Sequence, residues 1–192
     1  ITIIANRRGL NDAAAVGIVE KVISFLFLVP SSMLSSVSAL GAQNFGAGKP
    51  ERAVETLKYA IMIAVGFGLT VAVVIQFAAD PVVSLFTDNG TVIHSGGQYL
   101  RGYIWDCVFA GIHFSFSGYF CACQKSGLSF LHNITAIVLV RVPGVYLMSK
   151  LFSDTLYPMG LATAAGSLLS VIICVIAFTI LLKKERENKA FR

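Results

Sequence analysis

The stretch GQYLRGYIWDCVFAGIHFSFSGYFCACQKSGLSFLHNITAIVLVRVPGVYLMSK, residues 97–150, decides the fold. It reads as two long apolar helices joined by a short polar turn, Gln124-Lys125-Ser126-Gly127. Each helix carries a charge deep in its apolar run, Asp106 in the first and Arg141 in the second. If the turn lies at one membrane face, Asp106 is 18 residues from Gln124 and Arg141 is 15 residues past Ser126. At about 1.5 Å per residue the two charges lie roughly 27 and 22 Å from that face, close to one depth. Ionisable groups so placed are costly to bury and face a bundle interior or a watery cavity.

Composition agrees with a membrane setting. Of 192 residues, 56% are hydrophobic and only 13% charged, against about 25% charged in a soluble domain. The mean hydropathy is +0.76. The chain begins at Ile1, and its first five residues are too short to span, so they read as the end of a helix whose start is missing. The net charge of +5 does not indicate nucleic acid, because the basic residues gather at span ends and form no stripe. Cys107, Cys121, Cys123 and Cys174 lie in apolar runs, with one Cys-x-Cys pair and no His or Cys cluster beside it. They read as small buried hydrophobes, not as a zinc or disulfide framework.

A span needs about 20 apolar residues. Five are expected, over 13–42, 53–79, 97–123, 128–149 and 157–182, followed by a tail at 183–192. Nine Lys and Arg residues fall on one side (Lys49, Arg52, Lys58, Lys125, Lys183, Lys184, Arg186, Lys189, Arg192) and four on the other (Arg7, Arg8, Arg101, Lys150). The excess places the connection 41–55 and the C-terminus in the cytoplasm. Residues 82–86, in the outer connection 80–96, are expected to lie at the membrane surface as a short amphipathic helix. Pro30 and Pro143 fall inside spans and free the carbonyls of Leu26 and Leu139, so each predicts a kink, as a packing bend or as a hinge. Ala162, Gly166, Ser170 and Cys174, four apart, form a small-residue face for close helix approach. Ser31, Ser35 and Ser38, with Ser32 and Ser36, suit either helix packing or the lining of a polar cavity.

Several chemistries fall away on spacing. Gly41-Ala-Gln-Asn-Phe-Gly-Ala-Gly-Lys49 lacks the Gly-Lys-Ser/Thr end of a phosphate loop, and no strand precedes it. It reads as a tight elbow, with glycines stopping one helix and Pro50 opening the next. His113 and Ser117 share a helical face, but a continuous helix offers neither a nucleophile turn nor oxyanion donors. No enzyme is read from this chain. Asn89-Gly-Thr and Asn133-Ile-Thr match the glycosylation pattern by chance.

The informative feature is a layer of charge. Glu20 and Lys21 enter their span roughly 12 Å from its outer end, and Asp106 and Arg141 roughly 14 Å from theirs. One explanation is scaffolding by pairs, Asp106 with Arg141 and Glu20 with Lys21 or Arg141. The other is a protonation or cation site whose carboxylate is tuned by a neighbouring cation. Glu20 and Lys21, about 100° apart on one helix, cannot both point the same way.

Ala-Ala-Ala-Val-Gly-Ile-Val-Glu-Lys (13–21) and Gly-Ala-Gln-Asn-Phe-Gly-Ala-Gly-Lys-Pro-Glu-Arg-Ala (41–53) resemble the second half of the multidrug and toxic compound extrusion (MATE) transporters. Tyr-Leu-Arg-Gly-Tyr-Ile-Trp-Asp (99–106) and Leu-Val-Arg-Val-Pro (139–143) fit the same family, particularly its bacterial members. The resemblance implies an all-α polytopic membrane protein: five transmembrane helices plus the end of a sixth, one six-helix bundle of a twelve-helix transporter. Residues 1–182 would be the C-terminal bundle, truncated at its N-terminus, and the missing N-terminal bundle its partner in the lipid bilayer of a plasma membrane.

The implied activity is antiport of drugs or organic cations against Na⁺ or H⁺, without a cofactor. Asp106 would take up the coupling ion (Na⁺ included), with Glu20 and Arg141 in the same site; Tyr103, about one turn before Asp106 on the same helical face, is expected to meet substrate in the cleft. Gly41, Gln43, Asn44, Gly46, Gly48 and Pro50 would form the structural elbow. The competing expectations are a lipid-linked saccharide flippase of related architecture and a non-transporting membrane scaffold.

Overall fold

The computed structural model describes residues 1–190, with side-chain environments through Lys184. Of the tail expected at 183–192, the side chains of Arg186, Lys189 and Arg192 lie outside the described residues. Every element among the described residues is helical. In order they are α1 (Thr2–Asn6), α2 (Leu10–Leu26), α3 (Leu28–Gly46), α4 (Pro50–Ser84), α5 (Gly90–Tyr103), α6 (Trp105–Ala122) and α7 (Ser126–Ala136). A π-helical turn, Ile137–Arg141, then leads into α8 (Val142–Leu151), and α9 (Tyr157–Ala190) follows.

Four segments are long and apolar enough to cross a membrane: Leu10–Gly46, Pro50–Ser84, Ser126–Leu151 and Tyr157–Lys184. The expected span at 97–123 is instead the pair α5 and α6, which falls below that hydropathy because it carries Asp106, His113 and several serines. Its polar side chains are tolerated because α6 is the central helix. It packs against α3, α4, α7 and α9, and most of its residues are buried. Large apolar side chains on α4 (Met62, Val73, Phe77) and α9 (Ile172, Ile176, Ile180) point outward and are exposed, as a lipid-facing surface requires.

The helix breaks follow backbone chemistry. Pro30 has no N–H to give the Leu26 carbonyl, and the helix is interrupted at Phe27, the next residue. Pro143 likewise follows the π turn at Ile137–Arg141. Close approaches rest on small residues. A Cβ on Gly111 would lie 2.7 Å from that of Ala64, and one on Gly118 would lie 3.0 Å from Val37 Cβ. The face Ala162, Gly166, Ser170 and Cys174 is buried as a row.

Three local expectations need correction. Residues 82–86 form no separate surface helix: α4 runs through Pro81 to Ser84, and Val83 is buried where it would meet a Cβ on Gly96 at 3.0 Å. Burial of Val83 against α5 holds the helix past the proline. In the elbow, only Gly48 is left-handed, at φ +71°. The Gly48 N–H bonds the Phe45 carbonyl at 3.0 Å and the Lys49 N–H bonds the Asn44 carbonyl at 2.9 Å, a Schellman stop. Gly41 and Gly46 are helical; Gly41 is a close approach, its Cβ position lying 2.8 Å from Ala122 Cβ. The Gln43 carbonyl accepts the Ala47 N–H at 3.0 Å, the Asn44 side chain caps the Leu40 carbonyl at 2.8 Å, and Pro50 opens α4 as expected. The same stop recurs after α6, where Gln124 takes the left-handed position at φ 59°. Of the four cysteines, Cys121 and Cys123 are only half-buried. Asn89 has a structural task, capping α5 through the Thr91 N–H at 3.0 Å.

Arg8, by its place in the chain a loop charge, is an internal clasp. Its guanidinium bonds Asp12 at 2.8 Å and the carbonyls of Ser149, Phe152 and Ser153 at 2.9, 2.8 and 2.6 Å. It thereby satisfies carbonyls at and beyond the C-terminal end of α8, which lack intrahelical donors. Arg8→Ala is expected to lower stability by roughly 2–4 kcal/mol, since hydrogen bonds to charged groups are worth about 1.5–3 kcal/mol each and do not add fully. Arg8→Lys should recover little, because an ammonium cannot reproduce the planar fork. Thermal melts in detergent check both.

Candidate functional site

Asp106 lies near the start of α6, just after the break at Ile104. There the Cys107 N–H bonds the Ile104 carbonyl at 3.0 Å, three residues back, which tightens the backbone by part of a turn. The side chain is fully buried. Its Oδ2 accepts from Arg141 Nη2 at 3.1 Å. The same Nη2 donates to the Tyr103 hydroxyl at 2.7 Å, and the guanidinium carbon lies 5.7 Å from the Tyr103 ring centre. Asp106 and Arg141 therefore sit side by side at one level. Asp106 Oδ1 is buried and has no hydrogen bond among the described residues; Ser167 of α9 lies beside the carboxylate.

Arg141 reaches this position because α9 yields to it. Gly166 faces the base of the arginine, where an added Cβ would lie 2.9 Å from Arg141 Cβ. The π turn ends at Arg141, and such bulges re-aim side chains at functional positions.

Two residues expected in the site have surroundings other than those the sequence suggests. Tyr103 does not line an open wall: it is 7% exposed, packed edge-on against Tyr99 at 5.5 Å, and bonded to Arg141. It belongs to the ionic cluster. Glu20 pairs with neither Lys21 nor Arg141; it is half-buried, and Thr2 donates to it at 3.2 Å. Lys21 points away into the exposed surface, and Arg141 pairs with Asp106 through Nη2. A further pair, Arg101 with Asp80 at 2.8 Å, ties α5 to α4 and is more exposed.

Below the ion pair lies a polar group that helical spacing does not reveal. His113 and Ser117 do not bond each other. Ser117 Oγ instead meets His132 Nε2 at 2.8 Å, and His132 Nδ1 meets Ser170 Oγ at 3.2 Å. The His113 and His132 rings are 5.6 Å apart, and His113 Nδ1 is buried without a partner among the described residues. A cavity of about 250 Å³ opens between these groups, lined by Arg141, His113, Asn133, Ser167 and Ser170 with Phe27, Phe114 and others.

The chain is similar to known proteins over most of its length. The family model described as MatE matches residues 1–147. A curated protein named FAD transporter, from Shewanella oneidensis, is 28% identical over 166 residues, covering 85% of this chain and 36% of its own length. A solved structure, the crystal structure of MATE in complex with MaL6, superposes with a TM-score of 0.88 at 17% identity. That match covers 97% of this chain and 42% of the other. The chain thus spans less than half the length of these relatives.

Proposed function

This chain belongs to the MatE family, and from that premise we propose that it supplies the C-terminal half of a secondary active antiporter exporting organic cations and drugs. The observation that carries the reading is a buried carboxylate with one oxygen paired to Arg141 and the other, Oδ1, unpartnered among the described residues. An orphaned buried acceptor is costly to leave unmade and suits an ion that comes and goes. Arg141, 3.1 Å from the other oxygen, would repel a bare Na⁺ held only by Asp106 and Ser167, so a proton is the better fit. Exposed serines on α3 (Ser31, Ser32, Ser35, Ser36) give a hydroxyl-bearing face for a cleft shared with the N-terminal bundle. The Lys and Arg asymmetry supports a cytoplasmic C-terminus.

A second reading concerns cargo alone. The name FAD transporter carried by a relative, together with a guanidinium on the cavity wall, favours an anionic solute. The test uses the full-length protein in proteoliposomes loaded with a fluorescent organic cation or with a flavin nucleotide. Efflux of the cation driven by an imposed proton gradient, and not by a Na⁺ gradient, is expected. Efflux of the flavin alone would assign the second cargo; no gradient-dependent flux of either would end the antiporter reading.

A further inference from the structure

We propose that the cavity between α6, α7 and α9 is a binding site for an oxyanion group, a carboxylate or a phosphate, held by Arg141 with His113 and Asn133. Its volume of about 250 Å³ exceeds several water molecules at about 30 Å³ each, which is room for such a group. The donor chemistry is one-sided. The lining holds a guanidinium, an amide, an imidazole and two hydroxyls, and no carboxylate.

Two of these groups have capacity to spare. The hydrogen bonds of Arg141 run through Nη2 alone, so Nε and Nη1 have no hydrogen-bond acceptor among the described residues, and a guanidinium presents paired N–H groups that match an oxyanion. His113 is 5% exposed, and its Nδ1 has no partner among the described residues; neutral imidazole can donate from that nitrogen. A buried ring nitrogen without a partner on the wall of a polar cavity has a hydrogen bond still to make, and with the proton on Nδ1 that bond goes to an acceptor. Ser167, beside Asp106, adds a hydroxyl to the same wall. The apolar side of the cavity, Phe27 and Phe114, offers a surface for the ring or chain that carries the oxyanion. A cation entering here would meet Arg141 first and is disfavoured.

The oxyanion could belong to a soluble solute or to a lipid headgroup, and the shared chemistry is the same. The inference rests on the transporter reading for its use, but its test is binding without any gradient, so the two fail separately. Full-length protein in phosphate-free maltoside micelles is titrated calorimetrically with phenyl phosphate, benzoate, benzyl alcohol and benzylamine, with and without added phosphatidic acid. Phenyl phosphate or benzoate should bind, and the alcohol and amine should not. If a lipid is the occupant, phosphatidic acid should bind and displace the soluble anions.

His113→Phe keeps the bulk of the ring and should weaken anion binding about tenfold, the worth of one charge-assisted hydrogen bond. Because Arg141→Gln alone leaves Asp106 unpaired, Asp106→Asn/Arg141→Gln serves as the folded control and should abolish binding. Absence of binding by both anions and the lipid to monodisperse wild-type protein would overturn the site. So would binding unaltered in both variants, or tighter binding of benzylamine.

Discussion

Asp106→Asn is expected to cut proton-coupled efflux at least roughly tenfold while the protein still folds and inserts. The size follows from the interaction removed: a charge-assisted hydrogen bond is worth about 1.5–3 kcal/mol, and each 1.4 kcal/mol is a factor of ten in rate. The selectivity follows from geometry. Asparagine keeps the shape and an oxygen for Arg141 Nη2, and Tyr103 still accepts from the same nitrogen at 2.7 Å, so the helices keep their seating. What disappears is the orphaned Oδ1 as an ion acceptor. Asp80→Asn is the comparison, because it also breaks an ion pair, with Arg101 at 2.8 Å, but one whose partners are 41% and 27% exposed. Water reaches both partners and screens the pair, so that variant should transport normally. Reconstituted flux at matched protein density decides between them. Equal flux in Asp106→Asn and parent would remove Asp106 from the coupling role, and equal loss in both variants would point to general damage.

The parts of this molecule that can be read from the chain alone are those whose physics is local. Asp106 and Arg141 stand out because charge in an apolar run is costly wherever it lies, and counting helical rise from one turn puts them at one height. Pro30 and Pro143 mark interruptions because a missing N–H acts on a carbonyl four residues away, and the breaks at Phe27 and Ile137–Arg141 are within a turn of that carbonyl. The break at Ile104 leaves no such mark. No proline or bulge-forming residue stands there, and the tightened turn coincides with a tertiary contact, the crossing of α5 and α9 at Gly102 and Gly160, where a Cβ on Gly160 would lie 2.6 Å from Tyr103 N. His132 is hidden for a related reason. It is an ordinary residue of an apolar helix until Ser117 and Ser170, 15 and 38 residues distant, meet its two nitrogens. The clasp of Arg8 is invisible because its acceptors are backbone carbonyls more than 140 residues away, and carbonyls carry no sequence signature. Helical spacing puts Tyr103 on the right face, one turn before Asp106, but a face shared with a buried ion pair is an interior face.

Breaking the ion pair from its other side should expose how much of its purpose is structural. Arg141→Leu is expected to destabilise the protein by about 3–5 kcal/mol, the range for stripping a buried charge of its partner. Asp106 has no solvent exposure, its second oxygen is already unpartnered among the described residues, and Tyr103 would lose its donor at the same stroke. The double variant Asp106→Leu/Arg141→Leu is expected to regain most of that loss, because replacing a whole buried pair by apolar side chains is often neutral or stabilising. Melting temperatures of the parent, both single variants and the double variant in one detergent complete the cycle, and the deviation from additivity is the coupling between the two side chains. A coupling near zero would mean that water reaches the pair from the side of Arg141, whose side chain is 26% exposed, and screens it. A large coupling with a stable but transport-dead double variant would be more informative. It would show that the fold can do without these charges, and that they are retained at this depth because the carboxylate must be able to change partners.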